Sequence, residues 1–100
     1  MVRVKFIFTK KGHMRFISHL DLMRLLMRAF RRSGLPLKMT EGFNPHPKLS
    51  MRRALKLGLE SDHEEAAIVL REELGLKEFG ERLSKQLPEG IHIKEVEKDA

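Results

Sequence analysis

The chain has 100 residues, room for one domain with a single modest core, spanning residues 1–100. It carries no cysteine, so disulfides, thiol nucleophiles and iron-sulfur ligation by its own side chains are excluded, and its five histidines lie at no zinc-binding spacing. Its apolar stretches are broken by arginine or lysine well before the roughly 20 residues of a membrane span, and its N-terminus has no signal-peptide core, so a cytoplasmic protein without a membrane segment is expected.

The formal net charge is +6, yet the charge is divided along the chain. Residues 1–53 hold 13 lysines and arginines against 2 acids, whereas residues 54–100 hold 7 against 12. Solubility alone does not require such segregation; one anion-binding face accounts for it better.

Val2, Val4, Phe6 and Phe8 alternate with Arg3, Lys5, Ile7 and Thr9, the period of a strand with one face on a core and the other partly solvated. Lys10, Lys11, Gly12 and His13 read as a turn. Ser18 and Asp21 then form a capping box that opens a helix over 18–33, closed by Gly34. Leu22, Leu25, Leu26, Ala29 and Phe30 supply its buried stripe, with Met23 and Met27 at the margins. Its opposite side carries Arg24, Arg28 and Arg31, one turn above another, with Arg32 beside them and only Asp21 placed to neutralise any of them. The same four cations also suit a solvated helix whose C-terminal dipole favours positive charge.

Residues 35–40 read as a short second strand. The following Gly42-Phe43-Asn44-Pro45-His46-Pro47-Lys48 is dense in turn formers, and its two prolines make a rigid, exposed loop. Residues 49–58 fit a strand, a helical turn or an extended arm equally well. Residues 66–70 resemble a buried strand, and Leu76, Phe79, Leu83 and Leu87 fall on one face of a helix that Gly80 weakens and residues 88–90 end. Ile91 and Ile93 begin a last alternating strand. The order implies an α+β fold, a ferredoxin-like split βαβ sandwich. It would have an antiparallel sheet, two helices on one face, and a long loop over 42–62 between strands 2 and 3 whose length points to function.

Three segments, Arg15-Phe16-Ile17-Ser18-His19-Leu20-Asp21, Gly42-Phe43-Asn44-Pro45-His46-Pro47-Lys48-Leu49-Ser50 and Leu57-Gly58-Leu59-Glu60-Ser61, resemble the radical-SAM-linked domain family. Its members occur fused to, or encoded near, radical SAM proteins, often among ribosome and RNA-processing genes. The resemblance covers most of the chain. It implies a radical SAM protein as partner, with an iron-sulfur cluster and S-adenosylmethionine held only by that partner and no cofactor of the chain's own. This chain has Met51-Arg52-Arg53 where the family has a smoother small or aromatic stretch, and it lacks the family's aromatic near Ala66 or Ala67. Family members also continue beyond residue 100, so a compact stand-alone or shortened version of the domain is expected.

These readings give a non-catalytic, basic RNA-binding or substrate-presenting module working with a radical SAM enzyme, in tRNA or rRNA modification or ribosome-related metabolism. Arg15, Arg24, Arg28, Arg31, Arg32, Lys38, Lys48, Arg52 and Arg53 would supply phosphate contacts along a continuous groove. Phe43 would stack on an unpaired base or anchor its loop, and Asn44 would read a base edge or nucleate the turn before Pro45. His46 would contact phosphate or simply hold its own loop, and His19 is expected to cap the helix start. Two alternatives stay open. One is a metal-independent endoribonuclease with His46 as general acid or base; the other is an adaptor whose basic helix docks an acidic enzyme.

Overall fold

The computed structural model describes residues 1–54 and 57–99. It comprises β1 (Val2–Lys10), a 3-10 turn (Gly12–Phe16), α1 (His19–Arg32), β2 (Leu49–Met51), β3 (Ser61–Leu70), α2 (Leu76–Ser84) and β4 (Ile93–Lys98). The strands form one antiparallel sheet in the order β2-β3-β1-β4. This is the ferredoxin-like arrangement: β1 and β2 run parallel with β3 inserted between them, the split βαβ unit.

The pleat explains the division of the faces. In β1 Val4, Phe6 and Phe8 are buried, opposite Ile68, Ala66 and Glu64 of β3 in register. Leu22, Leu26, Ala29 and Phe30 of α1 and Phe79 and Leu83 of α2 complete the same core, so both helices cover one face of the sheet. Phe6 lies at its centre, with ring centroids 5.8 Å from Phe8, 5.6 Å from Phe30 and 6.2 Å from Phe79. Ile7 and Thr9, on the other face, are also buried rather than half-solvated; the Thr9 hydroxyl donates to Gly90 O and accepts from His92 N, which fastens the chain entering β4.

The second strand differs from its expected place. Residues 37–39 make only isolated bridges, Leu37 with Leu70 and Met39 with Pro47, and the strand itself is Leu49–Met51. Pro36 and Pro47 have no amide to donate, so a ladder through them is interrupted. Leu49 and Met51 pair with Ile68 and Ala66 and turn their side chains to the core, which places this segment on the edge of β3. Consequently the longest connection, 33–48, lies between α1 and β2, and not between strands 2 and 3; β2 and β3 are joined over 52–60. Residues 55 and 56, part of the stretch that fits several conformations, fall outside the described residues.

Elsewhere the elements extend or shorten the sequence pattern. β3 begins at Ser61, five residues before the apolar run, because its first half carries charged side chains. Among the described residues no helix is long and apolar enough to cross a membrane.

Candidate nucleic-acid interface

The arginine row follows from the way α1 starts and packs. The Ser18 hydroxyl accepts a 3.1 Å hydrogen bond from Asp21 N, capping the helix, and His19 becomes its first residue instead of its cap. With Leu22, Leu26 and Phe30 turned into the core, Arg24, Arg28, Arg31 and Arg32 are left exposed on the outer side. Asp21 reaches Arg24 at 3.7 Å one turn away. Among the described residues Arg28, Arg31 and Arg32 have no carboxylate partner. Three unpaired guanidinium groups on one rod repel each other and gain from any polyanion laid across them.

Beside this row stands a hairpin-like loop. Thr40 N donates to His46 O at 2.7 Å and His46 N donates back to the Thr40 hydroxyl at 3.1 Å, while Lys48 N donates to Lys38 O at 3.0 Å. Lys38 N in turn donates to Val69 O, which fixes the legs of the loop to β3. At the tip, Gly42 has φ +124°, a region open to glycine alone, and the Phe43 side chain is fully in water at 102% exposure. Arg31 Nη2 donates to Pro45 O at 3.4 Å, so α1 and the loop share one surface. Among the described residues nothing hydrogen-bonds the Asn44 amide. The His46 ring is exposed, and its Nδ1 lies 3.1 Å from Pro47 O. A carbonyl only accepts, so this contact is a hydrogen bond when Nδ1 carries a proton.

The bond from Arg31 to Pro45 joins the row of Arg24, Arg28, Arg31 and Arg32 to the loop tip that carries Phe43, Asn44 and His46. Lys38 and Lys48 do not continue it: they alternate with the core-facing Leu37 and Leu49 and fall on the other face of the sheet. Arg15, Arg52 and Arg53 are engaged elsewhere. Arg15 stacks over the Phe16 ring at 4.3 Å and donates to Gly12 O, in the turn before α1. Arg52 pairs with Glu65 at 3.0 Å. Arg53 grips the buried Glu64 with two hydrogen bonds, 3.1 and 3.0 Å, which spend its charge on holding residues 52–54 against β3.

The uncovered face of the sheet is built differently from the helix side. Arg3 pairs with Asp99 at 2.8 Å and Lys5 with Glu97 at 2.6 Å, and Glu65 takes both Arg52 and, at 3.5 Å, His63. Opposite charges alternate across the strands and cancel locally. Phe6 and Phe8 face the helices, so this face offers no aromatic platform for bases.

Two features escaped the sequence pattern. Lys85, just past α2, joins Arg28 and Arg32 on the rim of a 380 Å³ groove floored by Leu25, Ala29, Leu87 and Pro88. It belongs to the acidic half of the chain, so a count along the sequence hides it. Lys10 is buried, 1% exposed, next to Glu64; burial lowers its pKa from the ordinary value while the Glu64 carboxylate acts the other way. A charged residue at the end of an alternating strand gave no signal of this, since the β-bulge between Phe8 and Lys10 turns it inward. The buried Nδ1 of His19 has no hydrogen-bond partner among the described residues, and the structure supplies no account of it.

Comparison with curated proteins gives no match. A family model, described as an uncharacterized protein conserved in bacteria (DUF2344), matches residues 3–99. That span takes in the whole sheet but for Val2, both helices and the loop bearing Phe43, and the chain therefore belongs to this bacterial family.

Proposed function

We propose that the domain is a non-catalytic RNA-binding or substrate-presenting module that works in the cytoplasm with a radical SAM enzyme on tRNA or ribosomal RNA. The observation that carries the reading is the outer side of α1, where Arg28, Arg31 and Arg32 stand without carboxylate partners among the described residues, beside a braced loop. On the open sheet face Arg3 and Lys5 are neutralised by Asp99 and Glu97, whereas on α1 three arginines stand together with no such acid beside them among the described residues. Lys85 extends the same positive surface across the groove. Iron-sulfur and S-adenosylmethionine chemistry would belong to the partner, as the sequence resemblance implies; the domain would hold and orient the RNA.

A place for the partner enzyme, apart from the basic row, has support of its own. Gly58 N donates to Arg15 O at 2.6 Å, bringing exposed Leu57 and Leu59 to the turn that carries exposed Phe16. This apolar surface lies by the start of α1, about 20 Å along the helix from Arg31 and Arg32. A partner enzyme docked there would leave the arginines free for RNA, unlike an adaptor that docks its enzyme by the basic helix itself. Reversing Arg24 and Arg28 to Glu tests the proposal: RNA affinity falls steeply while the thermal melt stays cooperative. Unchanged RNA affinity in that variant would overturn it.

A further inference from the structure

We infer that the RNA held at this face presents an unpaired nucleotide, whose base stacks on Phe43 while its neighbouring phosphates lie along Arg24, Arg28 and Arg31. The inference rests on the RNA reading above and narrows it to single-stranded loops, bulges or ends.

Of the six phenylalanines, Phe6, Phe8, Phe30 and Phe79 are fully buried, and Phe16 is half covered beneath Arg15. Phe43 alone stands fully in water, and the fold gains nothing from it. The loop cannot fold the ring away. Thr40 and His46 bind each other from both sides, Pro45 and Pro47 stiffen the return leg, and Arg31 holds Pro45 to α1. The ring is therefore presented, at a fixed place next to the arginine row.

What surrounds the ring indicates what covers it. Its neighbours along the tip are Glu41, Gly42, Asn44 and Pro45, all exposed, so only the small Pro45 ring adds apolar surface and no broad hydrophobic patch forms there. A protein pocket would need such a patch; a nucleobase needs only one flat apolar face, and carries its own phosphates to the cations nearby. Bases inside a duplex have both faces covered by their neighbours, so away from the helix ends only an unpaired base can meet the ring. Asn44, whose amide has no partner among the described residues, stands next in the chain and can offer a donor and an acceptor to the edge of the same base.

The test uses the whole domain with three probes: a stem-loop RNA, a blunt duplex of the same length and charge, and an acidic protein. The chain has no tryptophan or tyrosine, so Phe43→Trp introduces a single fluorophore at the tip. The stem-loop quenches its emission and the duplex does not. Phe43→Ala weakens stem-loop binding by about 5- to 150-fold, the worth of one stacked base, and leaves duplex affinity and salt dependence unchanged. Equal stem-loop affinity for Phe43→Ala and the parent would overturn the inference, as would quenching by the acidic protein but not by RNA. Arg24→Glu with Arg28→Glu separates the two levels. If that variant loses RNA while Phe43→Ala does not, RNA binding stands and the stacking inference falls; if neither changes affinity, both fall.

Discussion

Two phenylalanine truncations should behave in opposite ways, and the contrast follows from geometry. Phe6 is 0% exposed and its ring meets those of Phe8, Phe30 and Phe79 at centroid separations of 5.6 to 6.2 Å. Truncating a buried phenylalanine to alanine costs about 3–5 kcal/mol through lost transfer energy and the cavity left behind. Three tilted or edge-on ring contacts place Phe6→Ala in the upper part of that range, about 4–5 kcal/mol. A domain of this size has about 5–15 kcal/mol in all, and each kcal/mol moves Tm by about 4–8 °C, so the midpoint should drop by about 16–40 °C. Phe43→Ala removes a ring that touches nothing, and its midpoint should stay within about 4 °C of the parent. Thermal melts followed by far-ultraviolet circular dichroism distinguish these outcomes. A Phe6→Ala midpoint within a few degrees of the parent would refute the four-ring core, and a large drop for Phe43→Ala would refute the free-standing tip.

Other consequences are sharp enough to check. Gly90 has φ +97°, and a Cβ there would run into Lys11 O and meet Met14 Cγ at 3.0 Å, so Gly90→Ala should lose at least about 2 kcal/mol in urea denaturation. Hydrogen bonds from Lys11 and from Arg52 hold the Asp62 and Glu65 carboxylates below their ordinary 3.8 and 4.5. Groups depressed in the folded state stabilise it above those ordinary values and lose that contribution as pH falls through their folded pKa. The urea midpoint should therefore decline once pH drops below 4.5, and less so in Asp62→Asn with Glu65→Gln. His46→Ala should keep a cooperative melt and RNA affinity near the parent's while impairing any coupled reaction; loss of the fold would show that the ring's bond to Pro47 O is structural.

Much of the architecture was legible because its signals are local. Alternation placed Val4, Phe6 and Phe8 on one face, and the cap at Ser18 with the stripe through Leu22, Leu26 and Phe30 placed α1 and hence its arginines. β2 was not legible, since Leu49–Met51 is too short for a period and becomes a strand only by pairing with β3. Pairing between distant residues also decided which cations remain available. Arg52 and Arg53 look like Arg28 in the sequence, yet Glu65 and Glu64 claim them across the sheet, and Lys85 reaches the interface from a segment rich in acids. The exposure of Phe43 could be read only once the core was seen to be complete without it.

The central claim, that the outer side of α1 and its loop hold RNA, is tested most directly by titrating the purified domain with total tRNA and ribosomal RNA fragments over a salt series, with an acidic protein as control. Four arginines on phosphates predict a slope of log affinity against log salt near about −3, so a fourfold rise in salt should weaken binding about fifty-fold. Saturable binding to one RNA class with that slope is the expected result. Binding no tighter to RNA than to the acidic protein would contradict the account.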